Sequence, residues 1–289
     1  MKSFPWSLVL YILTSFALAR ASPRPPSTSA RMSYNTNNPL PQRLASSQEL
    51  AMLEQDVEDY NAQWVATAPD AIAAISKRRL ICLPLDERFD PPMGVFSHGH
   101  VQTGDKMSIP KIFWQAIQLS QAEVPWLMQV SRVEGVTGPR VEVSETYAAA
   151  QLEKLVGGPL DFRAPSNYCF LPWWMMRALG LQPRDVVEVK LATTVPPGSA
   201  AQLRPHSSKF AKEIANPQAV LETELKHYSA LTRGSTIAFD YNGQRYWFDV
   251  VDLRSAPRGE KVPMCKVQDC DIATEFLPAK DSMKKPKKK

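Results

Sequence analysis

The sequence predicts a mixed α+β, mainly β chain, in which a compact barrel is followed by a smaller α+β unit behind a disordered N-terminal presequence. Three observations carry that prediction. From Leu80 onward, short apolar runs of strand character alternate with helices of one or two turns, the rhythm of a barrel rather than of a sandwich. Past Pro196-Pro197-Gly198-Ser199, a helix start at Asn216-Pro217 is followed by two strand-like runs flanking Asn242-Gly243, the strongest short hairpin signal. From Arg20 to Ser46, behind an apolar run at Phe4–Leu18, Ser, Pro, Thr, Asn and Arg dominate and no residue is acidic.

The N-terminal residues carry their own signals. Lys2 precedes an apolar run from Phe4 to Leu18, and Ala17, Ala19 and Ala21 supply small-x-small cleavage sites, so residues 1–21 fit a secretory signal peptide. An N-terminal anchor, or initiation at Met32, is the other reading. Residues 22–47 read as a transit-peptide-like segment, rich in Arg and hydroxyl residues with no acidic residue from Arg20 to Gln48; a plain disordered linker has the same composition. Ser46 and Glu49 form a capping box, and Leu50, Leu53, Val57, Tyr60 and Trp64 recur at helical spacing. An amphipathic helix over 48–77 follows, with Pro69 marking an end and the apolar stripe facing the body or a partner helix.

The barrel is expected over 78–195. Its elements are a strand at Ile81–Leu85, a helix entered through Gly104-Asp-Lys-Met-Ser-Ile-Pro110 with Pro110 in its first turn and Phe113, Ile117 and Leu119 inward, and a strand at Val124–Val130. Residues 133–160, with four glycines and Pro159, read as an insertion. A strand at Tyr168–Leu171, a short helix Pro172–Leu179 ended by Gly180, and a strand at Val186–Leu191 complete it. The second unit is expected over 196–280. It has a helix from Asn216 carrying Val220, Leu221, Leu225, Tyr228 and Leu231 up to Gly234, then strands at Thr236–Tyr241 and Arg245–Val251, and a last strand near Cys265–Val267. A basic tail occupies 281–289.

Charge excludes one function class. The net charge of +5 is a sum of ends: five cations before Ser47 and five lysines after Met283 account for +10, so the body between them carries about −5. A basic face on the folded body, which nucleic-acid binding needs, is not there. Lys284–Lys289 reads as a disordered basic tail, with weak contact to an anionic membrane surface as its other use. Cys82, Cys169, Cys265 and Cys270 include no CxxC pair and make no disulfide framework, which suits a thiol-reducing compartment. His98-Gly-His100 lacks a third ligand, and Asp86-Glu87 with Asp90 lacks a nucleophile or metal set. No catalytic residue, metal or cofactor is therefore assigned. In Trp173-Trp174-Met175-Met176, at least two of four large residues must face the core of so short a helix, with one tryptophan left to meet a partner.

Gly104-Asp-Lys-Met-Ser-Ile-Pro110, Phe170-Leu171-Pro172-Trp173-Trp174-Met175-Met176, Asn216-Pro217 with Leu221 through Leu231-Thr-Arg-Gly234, Asp240-Tyr241-Asn-Gly243 and Cys270-Asp-Ile272 follow one another in an order that resembles the ubiquitin-fusion-degradation-1 family over about residues 78–278. The resemblance implies a double-psi β-barrel followed by a smaller α/β roll. It also implies a non-catalytic adaptor that binds ubiquitin or a ubiquitin-like modifier and works with a nuclear-protein-localisation-4-type cofactor and a valosin-containing-type AAA+ ATPase. The family's Phe-and-Gly docking motifs are absent from the remainder of the sequence, which sets direct ATPase docking by such a tail in doubt. With a bipartite presequence, the resemblance points to import across the periplastid membrane of a complex plastid, through the secretory pathway. The rival readings are an ordinary cytosolic adaptor in ER-associated degradation and a double-psi-barrel hydrolase, for which Thr232-Arg-Gly234 is the nearest motif and lacks its acid.

Overall fold

The computed structural model describes residues 47–85, 103–136 and 152–283. The signal-peptide-like and transit-like residues, Ser46 of the capping box, the Asp86-Glu87-Asp90 cluster, His98-Gly-His100 and the Lys284–Lys289 tail lie outside the described residues.

Pro69 divides the N-terminal helical region. Helix α1 spans Ser47–Thr67, and a second short helix, α2, spans Ala71–Ser76 behind Asp70, whose carboxylate accepts the Ala73 N–H at 2.7 Å. The apolar stripe docks inward: Val57, with Leu53 beside it, packs against Ile81, Val133, Val186 and Tyr168. Polar contacts fix the register. Asn61 donates to the Arg79 carbonyl and accepts from the Arg79 N–H, both at 2.9 Å, so its amide serves as one rung of a β-ladder. Arg79 lies 3.5 Å over the Tyr60 ring and Lys77 3.4 Å over the Trp64 ring.

The barrel closes through strands β1 (Lys77–Pro84), β2 (Lys106–Pro110), β3 (Met128–Arg132), β4 (Lys154–Ala164), β5 (Tyr168–Leu171) and β6 (Val186–Leu191), in the order β1-β5-β2-β4-β3-β6. β1 with β5 and β2 with β4 run parallel, and the other pairs antiparallel. This closed, mixed ring fits the double-psi β-barrel that the resemblance implies. Helix α3 (Ile112–Ser120) follows β2, and helix α4 (Trp173–Ala178) follows β5.

Beyond the barrel lie β7 (Gly198–Pro205), α5 (Lys209–Glu213), α6 (Pro217–Leu225), β8 (Ala230–Thr232), β9 (Thr236–Tyr241), β10 (Gln244–Ser255), β11 (Met264–Lys266) and β12 (Ala273–Phe276). They form a four-stranded sheet in the order β12-β7-β10-β9 and a two-stranded sheet of β11 and β8. Asn242 and Gly243 join β9 to β10, both at positive φ (48° and 76°), as a two-residue hairpin loop with twist-matched geometry requires. One continuous apolar core includes Leu80, Met107 and Val130 of the barrel together with Phe210, Phe239 and Phe248 of the second unit.

Several elements differ from the sequence reading. Pro110 ends β2, paired with Ala164, and Lys111 is the N-cap of α3, so the proline stands before the helix rather than in its first turn. Leu119 is 61% exposed, while Phe113, Ala116 and Ile117 form the inward face. The strand expected from Val124 begins at Met128. The stretch 154–160, read as insertion because Gly157-Gly158-Pro159 looks like a turn, is the first part of β4. A Cβ at Gly157 would fall on the Asp105 carbonyl and the Met175 methyl, and one at Gly158 on the Ser229 hydroxyl. Helix α6 stops at Leu225, although the apolar period continues: Tyr228 is buried in the following turn, Leu231 lies in β8, and Gly234 (φ 86°) turns the chain between β8 and β9. β7 and β12 had no counterpart in the sequence reading.

Candidate functional site

Of the residues singled out by sequence, Gly104 and Trp174 lie on a seam between the barrel and the second unit. The Trp174 indole N–H donates to the Gly104 carbonyl at 2.8 Å, and its ring packs on Tyr228 at 6.1 Å between centroids. Tyr228 donates to the Ala238 carbonyl at 3.0 Å and accepts the Ala238 N–H at 3.2 Å. Next to Gly104, the fully buried Asp105 accepts the Ser229 and Ala230 N–H groups at 2.7 and 2.9 Å, with Lys106 Nζ 3.6 Å from its other oxygen. Lys106 also reaches the Ser229 hydroxyl, and Val156 N–H donates to Thr232 Oγ1 at 3.2 Å. Barrel and second unit are thus joined by buried polar groups inside an apolar core, with both amides on one Asp105 oxygen and the other oxygen without a hydrogen-bond partner.

The remaining motif residues each serve their own element. Leu171, Pro172, Met175 and Met176 are buried, and Pro172 caps α4 through its carbonyl, which accepts the Met175 N–H at 3.0 Å. Trp173 is the half-buried member of its pair. Asn216 caps α6 by accepting the Ala219 N–H at 3.2 Å, Pro217 opens that helix, and Leu221 is buried. Tyr241 is half-buried at the hairpin end of β9, and Gly234 sits in its turn. No carboxylate is hydrogen-bonded to Thr232 among the described residues; its hydroxyl is used by Val156. Cys82, Cys169 and Cys265 are buried free thiols, and burial pushes Cys265 up to about 12, so it stays protonated and unreactive at neutral pH.

A different surface is open. Helix α3 buries Phe113, Ala116 and Ile117 and therefore turns Trp114 and Leu119 outward. Trp114 meets Trp126 edge-on at 5.3 Å and Phe162 of β4 at 5.5 Å, and the Trp126 indole is pinned by donating to the Ala122 carbonyl at 3.2 Å. Trp114 (36% exposed), Leu119 (61%) and Val124 (65%) bring three of the exposed large apolar side chains of the described chain into eleven residues. Trp114, Trp126 and Phe162 make a shallow aromatic contact face, suited to holding an apolar surface of another protein. The sequence reading missed it. Its signal was available: once Phe113 and Ile117 are assigned inward, Trp114 must face out.

Two models of one family match the chain in succession: ubiquitin fusion degradation protein UFD1, N-terminal subdomain 1, over residues 89–195, and N-terminal subdomain 2, over residues 197–279. The ubiquitin fusion degradation protein 1 homolog of Caenorhabditis elegans is 38% identical over 130 residues, 45% of this chain and 36% of its own length. The Dictyostelium discoideum homolog is 28% identical over 182 residues, 63% of this chain and 48% of its own. The mouse ubiquitin recognition factor in ER-associated degradation protein 1 is 32% identical over 119 residues, 41% of this chain and 36% of its own. The matches span less than half the length of each of these relatives.

Proposed function

Because the chain belongs to the ubiquitin fusion degradation protein 1 family, we propose that it is a non-catalytic recognition factor that binds ubiquitin, singly or in chains, in a pathway of the ER-associated degradation type. The two consecutive family matches over residues 89–279 are the observation that carries this reading. The names of the relatives supply the ligand and the pathway. The Trp114–Trp126–Phe162 face supplies a place for it. A shallow apolar contact of this kind binds weakly alone and gains strongly when several linked modifiers engage in turn. The chain then holds a modified polypeptide, while a partner ATPase of the valosin-containing type, reached through a nuclear-protein-localisation-4-type cofactor, supplies the mechanical work. A finer reading, import across the periplastid membrane of a complex plastid, rests on the composition of residues 1–47; targeting of a fluorescent fusion of that segment tests it.

The binding reading is tested by calorimetric titration of tetra-ubiquitin into the full chain and its Trp114→Ala variant. Saturable binding weakened about tenfold or more by the substitution is expected. Equal affinity of variant and parent would remove the aromatic face from the mechanism, and absence of binding by the parent would end the proposal.

A further inference from the structure

A groove of about 370 Å³ opens where the barrel gives way to the second unit, and neither the seam residues nor those of the Trp114 face line it. One wall carries Gln129 of β3, Lys154 of β4 and Lys190 of β6; Val262, Pro263 and Met264 form the other, and residues 193–196 make the floor. We propose that this groove seats an extended, acidic peptide segment of a partner protein, its carboxylates on Lys154 and Lys190 and its backbone on the floor.

Three features of the groove select that occupant. The first is charge. No carboxylate lines the groove, and neither Lys154 nor Lys190 makes an ion pair among the described residues. Glu188, two residues before Lys190 on β6, is already engaged with Lys77 at 3.6 Å. On a body carrying about −5, a wall with two unpaired ammonium groups is a local exception that attracts an acidic ligand and repels a basic one.

The second is backbone. The amides of Thr193, Thr194 and Val195 make no hydrogen bond within the described protein, although the chain is well tied on both sides: Ala192 N–H donates to the Leu127 carbonyl at 2.8 Å, and the Pro196 carbonyl accepts the Lys266 N–H at 2.8 Å. A short run of unpaired amides fixed at both ends pairs with an extended strand, not with a helix, whose own backbone groups are internally satisfied. The third is the opposite wall and the layer beneath. Val262 and Pro263 offer apolar contact at the rim, and Leu127, Val156, Val195, Ala230 and Met264 pack together under the floor, so the groove is preformed.

The test uses the full chain and a short dye-labelled peptide alternating Asp or Glu with Leu or Val, read by fluorescence anisotropy. The acidic probe should bind in a salt-sensitive manner, and a probe of equal length with Lys in the acidic positions should not. Lys154→Glu combined with Lys190→Glu should weaken binding about tenfold or more, and the Gln pair should fall between that variant and the parent. Trp114→Ala should leave peptide binding unchanged, separating this site from ubiquitin recognition. Amide resonances of Thr193, Thr194 and Val195 should shift on titration. The proposal is overturned if the basic probe binds as well as the acidic one, or if the charge-reversed variant keeps both its melting temperature and its affinity. Shifts confined to the Trp114 face would also overturn it.

Discussion

Asp105 is a carboxylate at 0% exposure, and three groups hold it: the Ser229 and Ala230 amides and Lys106. Burial pushes its pKa up against the pull of Lys106 and those two amides, so ionisation is tolerated only as long as they stay in place. Asp105→Ala would leave both amides buried without an acceptor, a loss of about 2–5 kcal/mol; urea denaturation measures it, and an unchanged midpoint would mean that apolar contact alone holds the seam. Asp249 works in the opposite direction. Burial pushes its pKa up, but His206 at 2.7 Å, Lys280 at 2.6 Å and the Thr236 hydroxyl at 2.9 Å outweigh burial and hold it below the usual 3.8. The folded chain therefore binds this proton less readily than the unfolded one, so the stabilisation is present above the ordinary carboxylate value and lost as pH falls through the lowered folded value. Melting temperature followed from pH 7 into the acid range should show Asp249→Asn already destabilised at neutral pH and less steeply acid-sensitive than the parent. Parallel curves would contradict that assignment.

Elements were legible wherever local chemistry spoke unambiguously. Asn242-Gly243 gave its hairpin and Asn216-Pro217 its helix start, because both signals depend on a few adjacent residues. Gly157-Gly158-Pro159 misled because glycine punctuates turns, whereas here it admits the Asp105 carbonyl and Ser229 against a strand, a tertiary demand with no local trace. β7 and β12 are half-buried strands whose parallel pairing joins residues more than seventy apart, beyond any short-range pattern. In Trp173-Trp174, Trp174 is 6% exposed and serves the seam while Trp173 is half-buried, and the open aromatic face is built around Trp114. Helix α1 was expected to dock, and its means of docking is specific: Asn61 completes the ladder at Arg79. Asn61→Ala should cost about 1–3 kcal/mol by leaving that backbone pair unsatisfied and should raise hydrogen exchange at the Arg79 amide. Unaltered protection there would show that the apolar stripe alone holds the helix.

Across the whole molecule, a barrel and a two-sheet unit share one core, are fastened through Asp105 and Trp174, and leave the Trp114 face and the lysine-walled groove on the outside. That arrangement suits a factor that recognises and holds: buried polar groups at the seam join its halves, and its open aromatic rings stand on the surface. A rigid join also keeps both exposed surfaces in fixed relation, so that a modifier on one and a peptide on the other would be presented together. The most direct test of recognition is titration of unlabelled ubiquitin into the isotopically labelled full chain by NMR. The account predicts progressive shifts of the Trp114 and Trp126 indole signals and of amides along Ile112–Ser120; no shift at millimolar ubiquitin would contradict it.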